Sequence, residues 1–346
     1  MLRIGLVGCG THAKWSVMPA IQKTSKHCCL RAVCDLNADN LQSVVDPEVA
    51  KFTDFTAMLR ETELDAVYIC TMCDAHYEPA LRALQAGLHV ICEKPMADTI
   101  EKCKTMIQTA KEADRLLAVV FENRYHPYNR KIHEWISAGH LGTVGAIHFH
   151  DLWDGHKNFG ELSARRARAI ERSGSLDCGI HQLDLARYFA GGGDWQDVSA
   201  LGSWFGEELR NPPHISLLGR LAGGILVTLN SSYAYGAYIP KHRAHSRLMT
   251  LVGDKGVINF STDDEKGTDL KLISADLTDT FAVAGVPHEL AIGWLLDDFA
   301  AVVRGEKPMP PELATGHDGL MAQVAVQEAL TQACAHKPLG NKEVHS

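Results

Sequence analysis

The chain has 346 residues, enough for two domains, and its 46% hydrophobic content can build a sizeable core. It carries 34 basic against 42 acidic residues, a net charge of −8 with no basic block or arm, which excludes the electrostatic footprint of a nucleic-acid or anionic-lipid binder. No signal peptide or run of membrane-span length is read, so a cytoplasmic protein is expected, with its ten cysteines reduced.

A strand from Arg3 to Val7 runs into Gly8-Cys9-Gly10-Thr11-His12-Ala13, a G-x-G-x-x-A fingerprint ahead of a helical stretch. Glycines there permit a tight turn and close approach of backbone to a pyrophosphate, whose charge rests on a helix N-terminus. A second strand, Cys29 to Cys34, ends in Asp35, 25 residues after Gly10, with no Arg or Lys in the next several positions. A carboxylate at that place accepts hydrogen bonds from adenosine ribose hydroxyls and repels a 2′-phosphate, which favours NAD over NADP. The competing reading is that Asp35 starts the turn or caps a helix around Ala38 to Val44.

Alternation continues with Asp54 as N-cap of Phe55 to Arg60, a strand Ala66 to Cys70, and a helix Glu78 to Ala86 closed by Gly87. Cys70-Thr71-Met72-Cys73 is a CxxC without the second pair that would complete a zinc site. The apolar run Leu88 to Cys92 then ends in Glu93-Lys94-Pro95. Proline restricts the residue before it to extended geometry, so Lys94 is aimed by its backbone at the carboxyl edge of a parallel sheet, where open α/β folds bind ligands. A solvated lysine beside a turn proline is the alternative. A helix Thr99 to Ala113 and a strand Leu116 to Phe121 close the half. Repeated βα units of this length predict a doubly wound parallel sheet, and residues 1–122 read as a dinucleotide-binding domain.

After Glu122-Asn123-Arg124-Tyr125-His126-Pro127 the pattern changes. A helix Asn129 to Ala138 ends at Gly139, and Val144 to Asp151 alternates with Ile147 and Phe149 on one face and His148 and His150 on the other. Further strands are expected at Gly224 to Ser231 and at Arg247 to Val252, the latter paired through Gly253-Asp254-Lys255-Gly256 with Val257 to Phe260. Strands that follow one another without helices predict an α+β domain on a mostly antiparallel sheet over residues 123–346. Helices Glu289 to Val303 and His317 to Ala335 complete the chain, with the prospect of packing back on the first domain.

In Ser173-Gly174-Ser175-Leu176-Asp177-Cys178-Gly179-Ile180-His181-Gln182-Leu183-Asp184, residues 177, 181 and 184 share one helical face. An imidazole is suited to take a proton from an alcohol near neutral pH, and a carboxylate one turn away can orient it or hold substrate hydroxyls. Gly179 costs helix stability, which suggests close approach by cofactor or substrate. Structural bridging by His181 and Asp184 is the plain alternative, and a metal set of Asp177, His181 and Asp184 lacks a Cys or second His, so no metal is expected.

Taken together, these separated motifs resemble the Gfo/Idh/MocA oxidoreductase family over nearly the whole length. The resemblance implies a Rossmann domain, a C-terminal α+β domain with a large open sheet, homodimers or homotetramers formed through that sheet, and a cis Lys94–Pro95 bond. It implies that Lys94 hydrogen-bonds the reacting oxygen, that His181 is the general base in oxidation, and that Asp177 orients substrate or His181. Glu93 and His76 would line the nicotinamide side, with Gly8, Gly10, Thr11, His12, Ala13, Asp35, Thr71 and Asn123 about the cofactor. Arg124 would lie near cofactor or substrate, and Trp153, read from the residues alone, is a candidate to meet substrate or to fill the core. The expected reaction is oxidation of a secondary hydroxyl of a sugar, sugar derivative or cyclitol to a ketone. An NAD-dependent glycosidase with transient oxidation and a non-catalytic ligand sensor are the alternatives. Departures from the family pattern are Met72 for proline, Ala13 for the third fingerprint glycine, and a thinned glycine run at Ser173-Gly174-Ser175. His156, Lys157, the arginine-rich stretch 164–168 and Tyr233 to Tyr238 are further candidates for shaping a pocket.

Overall fold

Six parallel strands frame the first half of the chain: β1 (Leu2–Val7), β2 (Cys28–Cys34), β3 (Ala50–Phe52), β4 (Ala66–Ile69), β5 (His89–Cys92) and β6 (Leu117–Val119). Their order is β3-β2-β1-β4-β5-β6, so the winding direction reverses between β1 and β4. This computed structural model describes residues 1–153, 171–205, 208–233, 245–263, 267–283 and 285–337. The chain divides into two compact units, Met1–Arg130 with Val286–Gln323 and Lys131–Gly285 with Val324–Ser346.

In the first unit the strands read as unbroken apolar runs because both faces of the sheet are covered; β4 is buried at every position. Helices α1 (Ala38–Gln42), α2 (Phe55–Glu61), α3 (Tyr77–Gln85) and α4 (Ile100–Glu112) are the crossovers. Asn37, Asp54 and Thr99 cap α1, α2 and α4 by accepting from backbone N–H groups one turn in. Helix α1 stops at Gln42, short of the expected Val44, and β3 was not anticipated because its three residues are exposed or half-exposed. Residues 11–24 are helical and contain two π-helical stretches, Ala13–Val17 and Ala20–Thr24.

Among the described residues four further α-helices follow: α5 (Pro127–Ser137), α6 (Leu176–Phe189), α7 (His288–Val303) and α8 (Gly316–Ala335). Helix α7 belongs to the first unit's core, where Ala291, Ile292, Leu295, Leu296 and Phe299 are fully buried with β1 and β2. Its Asp297 carboxylate accepts from Ser25 Oγ and from the N–H groups of Lys26 and His27, which stops the helical segment ahead of β2. The unit boundaries fall within α5 and α8.

The second unit is built on β7 (Val144–Trp153), β8 (Trp195–Ser203), β9 (His214–Leu221), β10 (Leu226–Ser232), β11 (His245–Gly253), β12 (Gly256–Asp263), β13 (Gly267–Ser274) and β14 (Thr278–Val283). They form one sheet in the order β14-β13-β12-β11-β7-β10-β9-β8, with β7 and β10 parallel and the other neighbours antiparallel. Register places Phe260, Met249, Phe149 and Leu229 in one buried row, and Ile258, Leu251, Ile147 and Val227 in the next. Alternation puts His148, Thr228 and Leu218 on the opposite, more open face. The strand expected from Gly224 starts at Leu226 instead, because Gly223 and Gly224 have φ of 88° and 85° and turn the chain from β9.

The ten cysteines are all thiols, and Cys70 and Cys73 are not joined. Among the described residues no helix is long and apolar enough to cross a membrane. His156, Lys157, the 164–168 stretch, Tyr235, Tyr238 and the side chain of Trp153 lie outside the described residues.

Candidate active site

The fingerprint turn joins the carboxyl end of β1 to the helical segment, at the strand-order reversal where such sheets open a ligand crevice. Gly8 has φ of 91°, and a Cβ there would lie 2.6 Å from the Cys70 carbonyl oxygen, so glycine is required for two separate reasons. At Gly10 a Cβ would meet nothing within 4 Å, which leaves the outer side of the turn open to a ligand. Helical hydrogen bonding begins at once, with Lys14 N–H donating to the Gly10 carbonyl. Thr11, His12 and Ala13 thus form the first turn of a helix whose N–H groups can hold a pyrophosphate.

Asp35 stands just past β2. Its carboxylate accepts from the Cys9 N–H at 2.7 Å, from the Asn37 N–H at 2.8 Å and from the Asn40 side chain at 3.1 Å. The formal cap of α1 is Asn37, so Asp35 ties the fingerprint turn to the β2–α1 loop and does not cap the helix itself. A dinucleotide fits this arrangement: a glycine-lined turn, an open outer face, a helix start and a carboxylate at the neighbouring strand tip.

Glu93-Lys94-Pro95 follows β5, and the Lys94–Pro95 bond is cis. The segment is braced from both sides. His76 is fully buried, with Nδ1 3.0 Å from the Pro95 carbonyl and Nε2 3.2 Å from the Thr71 carbonyl. Burial pushes this imidazole below its ordinary value despite those carbonyls, so the ring is neutral and its single N–H donates to one carbonyl while the other rests in contact with the ring. Glu93 accepts from Tyr68 Oη at 2.9 Å and lies 3.0 Å from His12 Nε2. Burial alone would raise its pKa, but the field and hydrogen bond of His12, with the Tyr68 hydroxyl, hold it below the ordinary value, so a carboxylate stands beneath the fingerprint helix.

A second histidine–carboxylate pair adjoins the first. His288 Nε2 lies 3.1 Å from the Glu122 carboxylate and Nδ1 2.5 Å from Ser16 Oγ. The His12, Trp15 and His288 rings form a triangle with centroids 5.4–5.5 Å apart. Burial lowers the His288 pKa, but Glu122 and then Glu93 outweigh it, so the imidazole titrates above its usual value even with Lys94 opposing. Tyr68, Ser16, Trp15, Glu122 and His288 carry no motif, and nothing local in the sequence marks them as neighbours.

Asn123 and Arg124 sit in a short 3-10 turn, both buried. The Asn123 carbonyl accepts from Asn129 Nδ2 at 2.7 Å. Arg124 donates to the Pro311 carbonyl at 2.9 Å and pairs with Asp318 at 3.2 Å. These contacts give the arginine a structural role inside the first unit.

In the second unit α6 carries Asp177, His181 and Asp184, with His181 and Asp184 buried. Tyr233 Oη donates to Asp177 Oδ2 at 3.3 Å, and Ser231 Oγ donates to the Ser175 carbonyl at 3.0 Å. The expectation that Gly179 admits cofactor or substrate is corrected here. A Cβ at 179 would come within 3.0 Å of Ser231 Oγ and of Leu176 Cδ2, so the glycine lets α6 approach β10.

Residues 2–121 match the family described as oxidoreductase, NAD-binding Rossmann fold, and residues 129–259 match the GFO/IDH/MocA C-terminal domain. The chain is 32% identical over 194 residues to D-glucoside 3-dehydrogenase of Escherichia coli, covering 55% of this chain and 54% of that protein, so the match spans about half of that relative's length. It is 26% identical over 333 residues to myo-inositol 2-dehydrogenase of Thermotoga maritima, covering 93% of both. Among solved structures, an oxidoreductase from Agrobacterium radiobacter in complex with NAD+, L-tartaric acid and magnesium superposes with a TM-score of 0.80 at 21% identity, covering 96% of each chain, a likeness of fold. With its NAD-binding Rossmann region and matching C-terminal domain, the chain belongs to the Gfo/Idh/MocA family of oxidoreductases.

Proposed function

We propose that the protein is an NAD-dependent dehydrogenase that reversibly oxidises a secondary hydroxyl of a sugar, sugar derivative or cyclitol to a ketone. The observation that carries this reading is the fixing of Glu93-Lys94-Pro95 at the tip of β5 by His76 on one side and by Tyr68 and His12 on the other. A lysine so placed can donate to the reacting oxygen and stabilise developing negative charge. His181 takes the hydroxyl proton in oxidation and returns it in reduction, and Asp177 orients the imidazole or a substrate hydroxyl. Bound NAD supplies the hydride acceptor. Asp35 favours NAD over NADP, since its carboxylate repels a 2′-phosphate.

The substrate class is supported by the D-glucoside and myo-inositol dehydrogenases among the relatives. The reading assigns cofactor binding to residues 1–122 and substrate binding and assembly to residues 123–346, of which Val286–Gln323 also complete the first unit. Exposed Leu201, Leu218, Leu226 and Leu248 on the eight-stranded sheet support a homodimer or homotetramer formed through it. Ten cysteines that form no disulfide suit a reducing cytoplasm.

Incubation with NAD and a panel of polyols, aldoses and glycosides, followed by NADH absorbance, tests the reading. Net NADH with a free polyol or sugar supports it. Aglycone release without net NADH would replace it with a glycosidase, and binding without turnover would replace it with a sensor.

A further inference from the structure

Among the described residues, the ligand atoms of His12, Cys70 and Glu93 all lie within 4.8 Å of one another. They come from three separate elements: the fingerprint helix, the tip of β4 and the tip of β5. Sequence spacing directs attention to Cys70 with Cys73, but folding places Cys70 with an imidazole and a carboxylate. We propose that His12, Cys70 and Glu93 form a binding site for a zinc-type divalent cation, and that its occupancy excludes the dinucleotide.

The donor set suits such an ion. Nitrogen, sulfur and oxygen donors are all zinc ligand types, one of each with a fourth position left to water suits a tetrahedral arrangement, and bonds of about 2.0–2.3 Å draw ligand atoms to roughly 3.3–3.8 Å apart. His12 and Glu93 already stand 3.0 Å apart, so side-chain adjustments suffice. The sulfur selects zinc or cadmium over magnesium or calcium. Glu93 is bonded from outside by Tyr68, and the His12 ring is steadied edge-on by Trp15, the outer contacts that orient metal ligands. Binding releases the Cys70 thiol proton to solvent and requires the His12 tautomer with its proton on Nδ1, so affinity rises with pH. Cys92 and Cys103 are not part of this cluster.

Exclusion follows from the backbone. The Cys70 carbonyl lies against Gly8, where a Cβ would stand 2.6 Å from its oxygen, and His12 is in the first turn of the fingerprint helix. A cation with its water would occupy ground the dinucleotide needs.

Cadmium chloride, titrated near neutral pH into protein freed of dinucleotide, reports the site through the ultraviolet sulfur-to-cadmium charge-transfer band. The expected result is saturation at one ion per chain, loss of the band in Cys70→Ser, and affinity weaker by about tenfold or more in His12→Gln. NADH fluorescence should show NADH and cadmium displacing each other. A band of wild-type intensity in Cys70→Ser, or wild-type affinity in a folded His12→Gln, overturns the site. Undiminished cadmium binding at saturating NADH overturns the exclusion. None of these readings depends on turnover, so they fail or hold apart from the dehydrogenase assignment.

Discussion

The Arg124 guanidinium meets the Asp318 carboxylate at 3.2 Å, joining the turn after β6 to the first turn of α8, with the arginine side chain only 5% exposed. Removing one partner of a buried pair strands the other charge. Asp318→Asn should cost about 3 kcal/mol of stability, read as a lowered midpoint in urea. It also weakens the acceptor for the Thr315 N–H and hydroxyl at the helix start. An unchanged midpoint would mean that the pair contributes no net stability.

Lys94→Ala should lose about 10³-fold in kcat with NADH affinity retained, as for a donor aimed at developing charge. Rapid turnover by the variant would remove Lys94 from the chemistry. Steady-state kinetics beside NADH fluorescence separates the two effects.

Gly8→Ala should abolish dinucleotide binding and cost about 2 kcal/mol or more, because the methyl would meet the Cys70 carbonyl while the backbone stays left-handed. Isothermal titration with NADH and a thermal melt read both consequences. Gly10→Ala should spare stability, since its Cβ meets nothing, and lose affinity alone.

Asp35→Ser should shift the ratio of NADPH to NADH affinity upward by about tenfold or more, by removing the charge that repels a 2′-phosphate. The serine also loses acceptors for Cys9, Asn37 and Asn40, so the ratio is the informative quantity and the melting temperature falls in parallel.

His288 titrates above its ordinary value in the folded protein, so its contribution to stability is complete below about pH 6.5, the unfolded value. That contribution is lost as pH rises through the folded value. Glu122→Gln removes the largest source of the elevation while Glu93, Lys94 and His12 remain around the ring. The gap in melting temperature between wild type and Glu122→Gln should therefore narrow from about pH 6 to about pH 9. A gap that widens with pH would contradict the assignment.

The parallel half was legible because several of its helices carry a cap or a closing glycine, as at Asp54, Thr99 and Gly87, and because apolar runs like its strands must be covered on both faces. The second sheet was legible only near its centre. Ile147 and Phe149 alternate cleanly, whereas β8 and β14 lie at the sheet's edges, are largely exposed and carry little apolar pattern. The Gly8 turn, Asp35 and Lys94 announce themselves through motifs. Tyr68, Glu122 and His288 do not, since 166 residues separate the last two and only tertiary packing unites them. Gly179 was misread for a related reason: a missing side chain signals close approach, but not by what.

The first unit is not continuous in sequence. Its apolar centre takes Leu295, Leu296 and Phe299 from a helix that follows the entire eight-stranded layer. During synthesis, the cofactor-binding half therefore leaves the ribosome with a greasy flank uncovered and waits for more than 150 further residues before α7 seals it. A fragment ending at Arg130 should accordingly clump or enlist chaperones, whereas splicing 286–323 onto it by a short linker should yield a well-behaved miniature that still takes up dinucleotide.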